Sequence, residues 1–202
     1  MKLLLATSNK GKIQEMREAL NGCGLEILDP HDLPDVIAPH ETGDTFLENA
    51  VQKARYYFER TKLPVVADDS GIIVEALKDE LGIHTRRWGA GKDVSDAEWI
   101  DFFLDRMKRE SNKRARFVCV LAYINEKGEL HTFEGSCDGV LTGKPEAEYL
   151  PGLPLSACFR PDGSDKVFSA LSVEEKNQFS HRGRALHKFK EFFQSPQGKQ
   201  NI

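Results

Sequence analysis

The chain has 202 residues, 40% of them hydrophobic and 30% charged, with 28 Lys+Arg against 32 Asp+Glu and a formal net charge of −4. That length and composition suit one ordinary globular domain, too apolar for disorder, and exclude a basic nucleic-acid coat protein. No apolar run approaches the roughly 18 residues of a membrane span, the apolar stretch behind Met1 is too short for a secretory signal, and Cys23, Cys119, Cys137 and Cys158 form no CxxC pair, which together predict a cytoplasmic chain without structural zinc.

Residues 2–6 read as a buried first strand, and Ile13, Met16 and Leu20 recur at helical spacing before Gly22 and Gly24 end the helix. Residues 25–28 give a second short strand, and 29–40, with three prolines, a loop. Phe46, Ala50, Ala54 and Tyr57 share one face of a helix predicted over 44–60. A third strand over 63–67 is expected to break at the polar turn Asp68-Asp69-Ser70-Gly71, with an apolar run resuming over 72–76. Ser95-Asp96-Ala97-Glu98 opens a helix running to about 108. Residues 117–124 and 130–137 read as an antiparallel hairpin, 172–193 as mostly helix, and 195–202 as a polar, frayed tail. Alternating strands and helices followed by a hairpin predict an α/β fold with a mixed sheet; any second lobe must come from the hairpin and its neighbours.

Four polar clusters interrupt these elements. Thr7-Ser8-Asn9-Lys10-Gly11-Lys12 lies between the first strand and first helix, where backbone N–H groups and the positive helix end favour phosphate. A Ser/Asn helix cap with solvated lysines is the plain structural account, and the glycine spacing is not that of a Walker A loop. Glu41, Glu48, Asn49 and Lys53 place oxygen donors beside a cation, which suits Mg²⁺ with a phosphate oxygen or, more plainly, a helix cap and a surface ion pair. The adjacent carboxylates Asp68 and Asp69 at the end of a buried strand are costly unless compensated, and the carboxyl edge of an open α/β sheet is where ligands bind. One can bind a metal and one can orient or deprotonate water. Lys176 with Ser180-His181-Arg182 suits a phosphate or a base edge, or a solvated helical face. Ser70 sits in nothing like a GxSxG elbow, so a serine hydrolase is disfavoured, and the basic run from Arg106 to Arg116 reads as a solvated helix end.

In their order and spacing these clusters, with Phe133-Glu134-Gly135, Pro161-Asp162-Gly163 and Gly183-Arg184-Ala185-Leu186, resemble the inosine triphosphate pyrophosphatase family from Leu3 to about Phe189. The resemblance implies a two-lobed α/β fold around a long central mixed sheet, a cleft between the lobes, and a homodimer. It also implies Mg²⁺-dependent hydrolysis of non-standard purine nucleoside triphosphates (ITP, dITP, XTP) to monophosphate and pyrophosphate. Carried over residue by residue, Asp69 is the proton acceptor and a metal ligand, with Glu41 and Asp68 beside it. Thr7, Ser8, Asn9, Lys10, Lys12, Lys53 and Ser70 surround the phosphates, Arg87 is retained, and Lys176, His181 and Arg182 face the base. The sequence departs from the pattern at Leu153-Pro154-Leu155-Ser156, where relatives carry Phe-Gly-Tyr-Asp. Leu153 can cover a base face without aromatic stacking, and Ser156 stands where an acceptor for the purine edge is expected. A second departure is Gly82-Ile83-His84-Thr85-Arg86-Arg87-Trp88. The altered base segment leaves open the same chemistry on a modified or pyrimidine nucleotide, or a nucleotide binder without turnover.

Overall fold

A computed structural model describes residues 1–33, 35–77, 80–89, 94–196 and 198; for His84, Arg86 and Arg87 the backbone alone is described. The regular elements are β1 (Lys2–Leu5), α1 (Lys10–Ala19), β2 (Glu26–Leu28), α2 (Phe46–Thr61), β3 (Val65–Val74), α3 (Asp96–Met107), β4 (Arg114–Ile124), β5 (Leu130–Leu141), β6 (Phe159–Pro161), α4 (Val173–Phe179) and α5 (His181–Gln194). Short 3₁₀ turns connect several of them.

The strands form one mixed sheet in the order β2-β1-β3-β4-β5-β6, parallel from β2 to β3 and antiparallel beyond. Parallel neighbours need crossover connections, which α1 and α2 supply on opposite faces. Leu3, Leu5, Met16 and Leu20 pack with Phe189 of α5 on one face, and Ala50, Ala54 and Tyr57 of α2 pack on Leu4, Val65 and Ala67 on the other. The crossovers therefore diverge at the carboxyl end of β1, and an open α/β sheet leaves its ligand crevice at such a switch point. The far end of the sheet has its own core, in which Ile72 and Val74 meet Trp99 and Phe103 of α3 and Phe159 and Phe168. Three apolar clusters thus flank one mixed sheet, the α/β architecture expected from the sequence.

The structure corrects four details. β3 runs unbroken through Asp68-Asp69-Ser70-Gly71, because β4 pairs with every position from Val65 to Val74 and cations compensate the carboxylates from the sides. The hairpin strands are longer than expected, starting at Arg114 and ending at Leu141. Arg114 and Arg116 consequently lie on β4, paired with Asp162 and Asp138, rather than on a helix end. The single helix expected over 172–193 is two, since Ser180 takes an extended conformation (φ −72°, ψ 152°) and its Oγ accepts from the Gly183 N–H at 2.9 Å to cap α5. The expected polar tail lies mostly outside the described residues. Among the described residues no helix is long and apolar enough to cross a membrane.

Candidate active site

A cleft of about 420 Å³ opens at the end of β1, between the phosphate-loop candidate, α2, the centre of β3 and the α4–α5 junction. It gathers Thr7, Ser8, Asn9, Lys12, Glu41, Lys53, Asp69, Ser70, Leu153, Ser156, Lys176, His181 and Arg182, which are distant in sequence.

Strand geometry explains what the adjacent carboxylates do. Successive side chains of β3 point to opposite faces, so Asp68 and Asp69 serve different layers. Asp69 faces α2, where Lys53 Nζ bridges Asp69 Oδ1 (3.4 Å) and Glu41 Oε1 (2.6 Å). Lys53 reaches there because it lies one helical turn after Asn49, whose Oδ1 accepts from the Gly43 N–H at 2.8 Å and fixes the loop carrying Glu41. Asp69 is 7% exposed, and its Oδ2 is buried with no hydrogen-bond partner among the described residues. Burial raises its carboxyl above the ordinary aspartate range despite Lys53 and Lys12, and the negative charges of Glu41 and Asp68 add to the rise. Lys53 is itself buried, which favours loss of its proton, yet Asp69, Asp68 and Glu41 hold it more firmly protonated than usual.

Asp68 faces the α1/α5 layer and has no solvent exposure. Its Oδ1 pairs with Lys12 Nζ at 3.0 Å, and its Oδ2 accepts from Arg182 Nε and Nη2, both at 3.2 Å. Burial alone would raise this carboxyl, but Lys12, Arg182 and Lys53 hold it far below the usual range. With both oxygens committed to cations and no face on the cleft, Asp68 does not sit as a metal ligand. It anchors the two cations that do line the cleft. Arg182 also donates to Ser70 Oγ (2.9 Å) and pairs with Glu15, whose other oxygen pairs with Lys176. One charged chain thus runs from α1 through β3 to α4 and α5.

The first loop differs from its expected form. The Lys12 N–H donates to Asn9 Oδ1 (3.0 Å) and the Gly11 N–H to the Pro151 carbonyl (3.1 Å), so two of the amides expected to cradle phosphate are already engaged. Asn9 Nδ2 donates to the Gly152 carbonyl (3.0 Å), making Asn9 a clamp between the loop and the departing segment. Gly152 allows this: its φ is +83°, and a Cβ there would lie 2.5 Å from Asn9 Nδ2. Lys10 lies outside the cleft, in a groove with Gln14, Arg17 and Asp29. Two residues at about 100° each put Lys10 and Lys12 on opposite sides of α1. The side chain of Arg87 lies outside the described residues.

At the other end, His181 stacks on Phe117 (ring centroids 4.8 Å apart, 20° between planes). Burial, reinforced by the Arg182 charge, lowers its pKa well below the ordinary histidine value, so the imidazole is neutral, and Nδ1 is buried without a partner. Ser156 Oγ donates to the Leu153 carbonyl (2.6 Å). Sequence reasoning missed Glu15, Tyr57, Thr85, Trp99, Phe117 and Phe168, all on the cleft wall. Glu15 had a signal, three residues after Lys12 on the same face of α1, and Tyr57 lies four after Lys53. The aromatics had none, because a cleft wall and a core have the same composition.

The sequence model of the Ham1 family matches residues 3–192. The chain belongs to the Ham1 family. Among curated Ham1-type relatives, a dITP/XTP pyrophosphatase of Leptospira interrogans is 38% identical, covering 96% of this chain and 97% of the relative. Another dITP/XTP pyrophosphatase, of Aquifex aeolicus, is 40% identical over 93% of this chain and 94% of its own. The solved HAM1 protein of Coxiella burnetii superposes with a TM-score of 0.81 at 32% identity, covering 96% of this chain and 98% of that one.

Of the three carboxylates on the cleft wall, Glu15 is taken up by Lys176 and Arg182, while Glu41 and Asp69 suit a hard divalent cation. The unpartnered, buried Asp69 Oδ2 is the acceptor such an ion would use. Among the described residues no group of three or more His, Cys, Asp or Glu is placed to hold a metal ion. Two carboxylates would suit a hard divalent cation that keeps water in its shell.

Proposed function

We propose that this protein hydrolyses non-standard purine nucleoside triphosphates (ITP, dITP and XTP) to the nucleoside monophosphate and pyrophosphate. The observation that carries the reading is Asp69: a buried carboxylate with an unpartnered oxygen and a raised pKa, beside the Lys53–Glu41 pair in a cleft whose opposite wall holds Lys12. Naming of the relatives as dITP/XTP pyrophosphatases supports the same chemistry.

A bound divalent cation, which we take to be Mg²⁺ on Glu41 and Asp69, supplies neutralisation of phosphate charge. Ser8, Lys12 and Lys53 bind the phosphate chain; the two lysines, held by Asp68 and by Glu41 with Asp69, are fixed before substrate arrives. Asp69 orients a water molecule and takes its proton as the water oxygen bonds to the α-phosphorus. The bond from that phosphorus to the bridging oxygen breaks, and pyrophosphate leaves. Lys176 and Arg182, set by Glu15 and Asp68, face the base together with neutral His181. Cations and the imidazole N–H favour the 6-oxo group of hypoxanthine or xanthine over the 6-amino group of adenine.

The reading treats residues 1–202 as one domain, supported by the single sheet, and places it in the cytoplasm, supported by four free thiols. A nucleic-acid polymer is not a partner on this reading, which the net charge of −4 supports. The family resemblance adds a homodimer, which light scattering tests. Incubation with Mg²⁺ and a panel of ITP, XTP, dITP and the standard nucleotides tests the function. The expected outcome is pyrophosphate release from the oxopurine triphosphates; no release above an Asp69→Asn control would refute it.

A further inference from the structure

The base end of the cleft carries one polar group that the proposed function does not use. Trp99 lies on the cleft-facing side of α3, is 1% exposed, and lines the cleft beside Leu153, Leu155 and Phe168. Its indole stacks on Phe103, with ring centroids 5.4 Å apart and planes 10° from parallel. Stacking occupies a ring face and leaves the ring edge, where Nε1–H is buried without an acceptor among the described residues. Asp96, three residues earlier on the same face of α3, accepts from the Gly152 N–H at 2.6 Å, so this part of the helix lies against the 151–156 segment. That segment offers no carboxylate: Leu153, Pro154 and Leu155 are apolar, and Ser156 Oγ is turned back to Leu153.

A buried donor without a partner is costly, and a bound molecule that brings an acceptor removes the cost. A site so built discriminates strongly by hydrogen-bond polarity, because the wrong group leaves two buried polar atoms unpaired. We infer that Trp99 Nε1–H donates to an acceptor atom on the nucleobase edge. It is thereby a specificity-determining residue that selects bases presenting a carbonyl oxygen or ring nitrogen there over bases presenting an amino group. Xanthine and guanine share the 6-carbonyl and differ at position 2, where xanthine presents a carbonyl acceptor and guanine an amino donor, so Trp99 separates the two if it reaches that position. The inference rests on the nucleotide reading of the cleft.

The chain has two tryptophans, so a ¹⁵N-labelled sample gives two indole N–H resonances, and Trp88→Phe assigns them. In the slowly turning over Asp69→Asn variant, saturation with XTP and Mg²⁺ is expected to move the Trp99 resonance downfield, as a newly made hydrogen bond requires. Trp99→Phe, which keeps the stack on Phe103, is expected to raise KM for XTP about tenfold with little change in kcat, and to narrow the preference for XTP over GTP. A stationary Trp99 resonance while other resonances shift with XTP overturns the inference and leaves the nucleotide reading intact, as does an unchanged KM in a folded Trp99→Phe protein. No shift anywhere in the spectrum overturns both.

Discussion

Replacing Asp68 by Asn removes one negative charge and little volume from a group with no solvent exposure, whose oxygens meet Lys12 at 3.0 Å and Arg182 at 3.2 Å. Arg182 is 3% exposed along its side chain and Lys12 15%, so neither cation recovers full hydration in place. Removing one partner of such a buried set costs about 3–5 kcal/mol, since the uncompensated charges stay behind. For a chain of this length each kcal/mol moves the melting temperature by roughly 2–4 °C, so Asp68→Asn is expected to lower Tm by about 10 °C. Thermal unfolding followed by circular dichroism measures it. In the double variant Asp68→Asn/Lys12→Met the losses should fall short of the sum of the single losses by about 1 kcal/mol or more, because one stranded charge has gone. A Tm within 2 °C of the unmodified protein, or strict additivity, would refute the claim that Asp68 anchors this network.

Asp69→Asn should retain the fold and lower pyrophosphate release by roughly 10²–10⁴-fold, read in a coupled pyrophosphate assay. In the metal-free protein the Asp69 carboxyl, raised by burial, should titrate above the ordinary aspartate value in a carboxyl ¹³C NMR pH series that uses Asp69→Asn for assignment, and titration at or below the ordinary value would refute the burial argument. The stability signs differ for the pair. Asp68, depressed on folding, contributes stability that is present above its unfolded pKa and lost as pH falls towards its folded one. Asp69, raised, makes stability decline as pH rises from its unfolded to its folded value. Urea unfolding across pH, with Asp69→Asn as the control that removes the second effect, separates them. Gly152→Ala forces a positive φ on alanine and drives a methyl against Asn9, so a loss of about 1–2 kcal/mol and a raised KM are expected by denaturant titration and kinetics.

The elements were legible where one periodicity dominates, as in the apolar stripe Phe46, Ala50, Ala54 and Tyr57. They were misread where polar residues occupy interior positions. Asp68-Asp69-Ser70-Gly71 has the composition of a turn, yet it continues β3, whose residues from Val65 through Asp69 are all buried, and the cations Lys12, Lys53 and Arg182 make that tolerable. Local sequence cannot display compensation supplied from other elements, in the case of Arg182 from 114 residues away. Most of the site was legible because its charged residues fall in compact clusters, and Lys53, Asp69 and Arg182 do meet in one cleft. Lys10 and Asp68 were misplaced for a geometric reason: neighbours in a motif point in different directions, about 200° apart for Lys10 and Lys12 on a helix and to opposite faces for Asp68 and Asp69 on a strand. Trp99 was invisible because a buried tryptophan reads as core until its unpaired N–H is seen.

The central claim is that water attacks the α-phosphorus with Asp69 as proton acceptor and pyrophosphate as leaving group. Hydrolysis of XTP in ¹⁸O-labelled water, with products resolved by mass spectrometry, tests it most directly. The account predicts one pyrophosphate per nucleotide consumed, with the label confined to the nucleoside monophosphate. Label in the pyrophosphate, or release of orthophosphate with a nucleoside diphosphate, would contradict it.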